Sequence, residues 1–225
     1  MSEKAIVYYT DNRLDAALGD YCRNQLRRRA GNIPIICISQ EPMAFGEFPF
    51  CVGKIGRSSA SIFMQIMSGA HLAKNMNIPW LFLAEHDVLY PPGYFDYTPP
   101  GPGIVCYQRH VYNVNDRGFW RADRPLMSGL CCDSETLEAA MRQRYENTRA
   151  GQRFSRSEPG TLLEDPYPML TYHLARPMLD IRHGNNFTGG RASRDGYQST
   201  LEYWGPHAEL WRRLGLKGDD HDGTV

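Results

Sequence analysis

The run Trp80-Leu81-Phe82-Leu83-Ala84 is a block of large apolar residues that stops at Glu85-His86-Asp87, and Pro91-Pro92 follows shortly after. A short apolar run bounded by turn residues reads as a strand buried on both faces. Such a strand needs covering layers on each side, which points to an α/β sheet. Open α/β sheets bind ligands at the carboxyl ends of their strands, so the two carboxylates stand where chemistry is expected. The period of two places Glu85 and Asp87 on one side and His86 on the other. Carboxylates converging on one point repel unless positive charge lies between them, and a divalent metal is the usual partner. Capping of the next turn and pairing with arginine are the structural alternatives.

The rest of the chain extends this architecture. Ala5–Tyr9 is a short strand with Thr10-Asp11-Asn12 as its polar exit. A helical pattern over 14–29 places Leu14, Leu18, Cys22 and Leu26 on one face, and a second apolar strand covers 33–39. Strand, helix, strand with short links predicts a mostly parallel sheet flanked by helices. Residues 40–57 read as an irregular connection. Ser58 or Ser59 caps the next helix, where Arg57 and Ser58 are placed to meet a phosphate. A further strand is expected at 104–107, an aromatic hairpin or loop at 112–120, and a short strand broken at Ser128-Gly129 within 125–133. A helix from Ser134 to about Arg149 follows, then a strand at 178–181. Residues 182–191 have the composition of a binding loop, including Arg182, His183, Asn185, Asn186 and Arg191. The organisation expected is one catalytic domain over 1–215, with a nucleotide-binding part (about 1–106), an acceptor-side part (about 107–215) and a flexible tail at 216–225.

Composition narrows the classes. The 225-residue chain has zero formal net charge, so nucleic-acid contact would need a local patch. Its 25 basic residues are 21 arginines and four lysines, a bias that suits bidentate phosphate contacts. The six cysteines include no Cys-x-x-Cys pair, favouring reduced thiols and a cytoplasmic setting. No apolar stretch is long enough to span a bilayer, and no signal peptide precedes the first strand. Neither a Gly-x-Gly-x-x-Gly turn nor a Walker lysine motif follows that strand, which removes the main support for the common dinucleotide and P-loop readings.

Together these segments resemble the nucleotide-sugar-dependent glycosyltransferases of the GT-A fold, in particular their large inverting group. The resemblance covers roughly residues 4–190. Glu85-His86-Asp87 looks like the metal-binding Asp-x-Asp signature, Met127-Ser128-Gly129 is similar to an acceptor-side segment, and Glu164-Asp165 resembles the acid pair that includes the catalytic base. The sequence departs from the family pattern in having Glu at the first acidic position and in lacking the arginine-rich motif and membrane helices of polysaccharide synthases.

The resemblance implies a donor that is a nucleoside-diphosphate sugar and a cofactor that is Mn²⁺ or Mg²⁺, held by Asp87 with Glu85 and His183. Thr10, Asp11 and Asn12 would recognise base or ribose, and Arg57, Arg182 and Arg191 the phosphates. Asp165, with Glu164 next, would deprotonate the acceptor hydroxyl. Small soluble enzymes of this kind from phages modify hydroxymethylated DNA bases, so modified DNA joins glycans and small molecules as an expected acceptor, in the host cytoplasm if the chain is phage-encoded. A sugar-nucleotide nucleotidyltransferase and a non-catalytic nucleic-acid-binding protein remain as alternatives.

Overall fold

The computed structural model describes residues 2–122, 124–152, 158–162, 165–186 and 196–216. In chain order the elements begin with β1 (Lys4–Thr10), α1 (Ala16–Ala30), β2 (Ile35–Ser39), β3 (Phe48–Cys51), α2 (Ser59–Asn75), β4 (Trp80–Glu85) and β5 (Val88–Leu89). They continue with β6 (Val105–Gln108), β7 (Val111–Asn115), β8 (Gly118–Ala122), β9 (Leu130–Asp133), α3 (Ser134–Arg149), β10 (Met169–Tyr172), β11 (Met178–Ile181), β12 (Thr200–Leu201), β13 (Gly205–Pro206) and α4 (His207–Arg213).

A seven-stranded sheet has the order β10-β6-β9-β4-β1-β2-β3, and only β9 runs antiparallel to its neighbours. This is the mixed, mostly parallel α/β sheet expected from the sequence. Its central strands are apolar on both faces because both are covered. Ala5, Val7 and Tyr9 of β1 join the core beneath α2 and α3, while Ile6 and Tyr8 join the opposite core with Leu26 and Ala30 of α1. Each large aliphatic side chain fully buried in these layers contributes about 1.5–3 kcal/mol. The contact between α2 and β1 is close: a Cβ added at Gly69 would lie 2.4 Å from Val7 Cγ1.

The helix ends follow local chemistry. Asp15 accepts hydrogen bonds from the amides of Ala17 and Leu18, and Ser58 Oγ accepts one from Ser61. The cap of α3 is Asp133, which accepts from Thr136 N at 2.9 Å. Arg27, Arg28 and Arg29 occupy the last turn of α1, where the helix dipole favours cations.

Two segments differ from the sequence expectation. Residues 48–51, within the region read as irregular, form β3 at the sheet edge, with all four residues exposed. An uncovered edge strand needs no alternating burial and tolerates Pro49, so it carries little of the usual strand signal. Within 125–133, Met127–Gly129 is a 3-10 turn, and the strand begins only at Leu130. Gly129 matters for a contact inside the protein: a Cβ there would meet Gln108 O at 3.1 Å.

A second, four-stranded sheet has the order β5-β11-β7-β8. The hairpin of β7 and β8 matches the segment read as a hairpin or aromatic loop. This sheet packs with Leu18 and Cys22 of α1 and with Trp204, Leu210 and Trp211 from the C-terminal segment. β5 leaves directly from the end of β4 and pairs with β11, which brings residues 180–186 to the central strand's exit.

Candidate active site

The central strand ends two residues earlier than strict alternation over 85–87 requires. β4 stops at Glu85, and His86-Asp87 form the turn into β5. The turn breaks the period of two, so His86 joins Asp87 instead of pointing away from it. Nitrogen and oxygen ligand atoms of His86, Asp87 and His183 all lie within 4.8 Å of one another. Glu85 is not part of this group. Its carboxylate accepts a 2.5 Å hydrogen bond from Tyr9 OH. Burial, reinforced by the nearby charges of Asp87 and Asp180, pushes the Glu85 carboxyl up to about 8.

Asp87 has the opposite balance. Burial works to raise its pKa, but His86, the hydrogen bond from His183 and the charges of His183 and Arg182 outweigh burial and hold it below the usual carboxylate range. Asn186 Nδ2 donates to Asp87 Oδ2 at 2.8 Å, and His183 Nε2 lies 3.3 Å from the same oxygen. Thr10 Oγ1 is 2.7 Å from His86 Nδ1, and His86 Nε2 lies 3.9 Å from Asp87 Oδ2. A carboxylate oriented by an amide and two imidazoles, one of them anchored by a hydroxyl, is chemically suited to a divalent transition metal.

This group opens into a cavity of about 230 Å³. On one wall stand Thr10 and Asp11 from the end of β1, Arg57 to Ser59 at the start of α2, and Gln65. Arg57 Nε lies 3.2 Å from Asp11 Oδ2 and its guanidinium donates to Asn185 O, so this arginine links the first strand's exit to the 182–186 loop. Asn12 has a structural part. It takes positive φ, and its Oδ1 accepts from the amides of Gln40 and Glu41 at 2.8 and 2.9 Å, tying the ends of β1 and β2 together.

The opposite wall carries Arg124, Leu126, Met127, Ser128, Glu158, Asp180 and Arg182. Arg182 donates to Asp180 and to Asn113. Asp180 is pushed up to about 7 by burial, against the lowering effect of Arg182 and with Asp87 raising it further. Sequence reasoning missed it because Met178–Ile181 reads as an ordinary apolar strand. It also missed His86, assigned to the wrong side by alternation, and Glu158, which follows a polar segment without a motif.

Asp165 stands elsewhere. Both of its oxygens accept hydrogen bonds from Arg144, at 2.8 and 2.9 Å, with the two side chains only 6% and 3% exposed. Asp165 is not among the residues lining the cavity, and both of its oxygens are engaged by Arg144. The residue expected as catalytic base is ion-paired to α3 in this structure. Glu164 and Arg191 lie outside the described residues.

No protein-family model matches the chain, and no curated protein matches it. Among solved structures, it is similar to a glycosyltransferase involved in the glycosylation of the major capsid of PBCV-1. That match has a TM-score of 0.46 at 12% identity, covering 75% of this chain and 81% of the other. At that level it assigns no activity. Among the described residues, no helix is long and apolar enough to cross a membrane.

Proposed function

We propose that the protein is a metal-dependent glycosyltransferase that moves a sugar from a nucleoside-diphosphate sugar to an acceptor hydroxyl, with inversion. The observation that carries this reading is the His86–Asp87–His183 group at the exit of the central strand, facing a cavity with arginines and a helix N-terminus on its rim. His86, Asp87 and His183 would hold the ion, and two imidazoles favour Mn²⁺ over the oxygen-seeking Mg²⁺. When bound, the ion supplies positive charge that stabilises the departing diphosphate.

The chain's own groups do the rest. Thr10 fixes the ring of His86, and Asn186 fixes Asp87. Asn185 N donates to His183 Nδ1 at 3.2 Å, which leaves the ring proton on Nε2, facing Asp87. As a ligand through Nε2, His183 would give up that proton, and the Asn185 contact would yield. Arg57 and the first turn of α2 offer donors to phosphate oxygens. Asp11, beside Arg57, is placed for ribose hydroxyls. The cavity volume is below the roughly 300–1,000 Å³ common for ligand sites, so donor binding widens it or leaves part of the ligand outside.

A calorimetric and thermal-shift panel of nucleoside diphosphates and nucleotide sugars, with and without Mn²⁺, tests the reading. Saturable binding that depends on the metal is expected for one nucleotide family. Absence of binding across the panel overturns it. Hydroxymethylated DNA, glycans and small alcohols then enter one acceptor screen with the donor that binds.

A further inference from the structure

Five carboxylates line the cavity: Asp11, Glu85, Asp87, Asp180 and Glu158. Four are already held by side chains. Asp11 pairs with Arg57, Glu85 accepts from Tyr9, Asp87 is bound by Asn186 and His183, and Asp180 is bound by Arg182. Glu158 differs, since no other side chain among the described residues hydrogen-bonds its carboxylate. It shares its wall with Arg124, Met127 and Ser128, whereas Thr10, Asp11 and Arg57 stand on the other.

Its position is fixed from behind. Tyr107 OH donates to Pro159 O at 2.8 Å, tying the residue after Glu158 to β6. Thr161 N and Oγ1 both donate to Glu158 O, closing a tight turn. The ion pair of Arg144 with Asp165 secures the far end of the same short segment to α3. A carboxylate that no other described side chain binds, on an anchored backbone, is what a proton acceptor requires.

We propose that Glu158 is the general base of the transfer, an assignment that rests on the glycosyltransferase reading of the site. The acceptor O–H gives its proton to the Glu158 carboxylate. The acceptor oxygen's electron pair forms the bond to the anomeric carbon as the bond from that carbon to the diphosphate oxygen breaks. The breaking bond's pair leaves with the nucleoside diphosphate, and Glu158 later releases the proton to water. Burial raises the Glu158 carboxyl, opposed by its own amide and by Arg124 and Arg144, which makes it a stronger proton acceptor than a solvated carboxylate.

The test compares wild type, Glu158→Gln and Glu158→Asp, using the nucleotide sugar that binds wild type and water as the acceptor. Nucleoside diphosphate release is the rate, and calorimetry gives donor affinity. Glu158→Gln should release nucleotide about 10²–10⁴-fold more slowly with donor affinity unchanged, and Glu158→Asp should keep part of the rate. Equal release by wild type and Glu158→Gln, at any rate, overturns the assignment while leaving the donor-binding reading intact. A parallel loss of donor affinity in Glu158→Gln also overturns it, because the residue would then serve binding. Failure of wild type to bind any donor is the separate signature of a wrong functional reading, and the base assignment falls with it.

Discussion

On one wall of the cavity, Thr10, Asp11, Glu85 and His86 come from the exits of adjacent parallel strands; on the other, Ser128 and Glu158 come from turns between elements, and Asp180 from a different sheet. The strand-exit wall is fixed by apolar burial on both sides of β1 and β4, so its position follows from local sequence. The facing wall is held by a few long-range polar contacts, chiefly Arg144 with Asp165 and Tyr107 with Pro159. One wall is thus built by area and the other by specific bonds. Substitutions should therefore damage them in different ways: metal and donor binding fail on the strand-exit wall, whereas the wall of turns loses stability at its anchors and turnover at Glu158.

The largest effect is expected at Asp87. Asp87→Asn should remove metal-dependent donor binding, by more than the 10–100-fold that loss of a ligand's supporting partner costs, with the fold retained. Calorimetric titration with Mn²⁺ checks this, and unchanged metal affinity would remove Asp87 from the ligand set. On the other wall, Asp165→Asn should break the buried ion pair with Arg144 and cost about 3–5 kcal/mol in urea unfolding. Catalytic rate per folded molecule should hardly change. Lost turnover at full stability would instead restore Asp165 as the base and erase the contrast between the walls.

A smaller effect is expected at Thr10, whose hydroxyl supports His86. Thr10→Val should weaken Mn²⁺ binding by about 10–100-fold. It also leaves the Asn12 amide without its 3.0 Å acceptor, costing about 1 kcal/mol of stability. Affinity equal to wild type would mean that His86 needs no support from the end of β1.

Glu85 gives the most pH-dependent prediction. Its pKa rises from an ordinary 4.5 to about 8, chiefly through burial. Folding therefore favours the protonated acid. The stability linked to that proton is fully present below about 4.5 and is lost as pH climbs through 8. Glu85→Gln, which keeps a neutral group beside Tyr9, should show little stability difference near pH 4.5 and a growing advantage towards pH 8, followed by thermal unfolding without metal. An advantage independent of pH would sink the burial argument.

Much of the strand-exit wall could be read before any coordinates. The apolar runs read at 5–9, 33–39 and 80–84 each yielded a strand, the second from Ile35, Ser58 became a cap, and His183 reached Asp87. Those features depend on periodicity and end chemistry, which are local. Asn12 was legible as polar but not as a brace, since its partners at Gln40 and Glu41 arrive from the next strand. The ion pair of Asp165 was not legible for the same reason. Glu-Asp before a proline looks like an active pair, and only Arg144, 21 residues upstream, shows that Asp165 is already engaged.

The sequence by itself determined the covered parallel sheet, the helices that clothe it and the strand whose exit carries Asp87, because burial pattern and caps act over a few residues. Tertiary structure alone decided that His86 turns towards Asp87, that Asp180 enters the cavity from a second sheet, and that Arg144 engages Asp165 while no other side chain among the described residues hydrogen-bonds the Glu158 carboxylate. Those outcomes depend on which charges and amides meet across the fold. A carboxylate's role is set by its partners, and the partners here are distant in the chain.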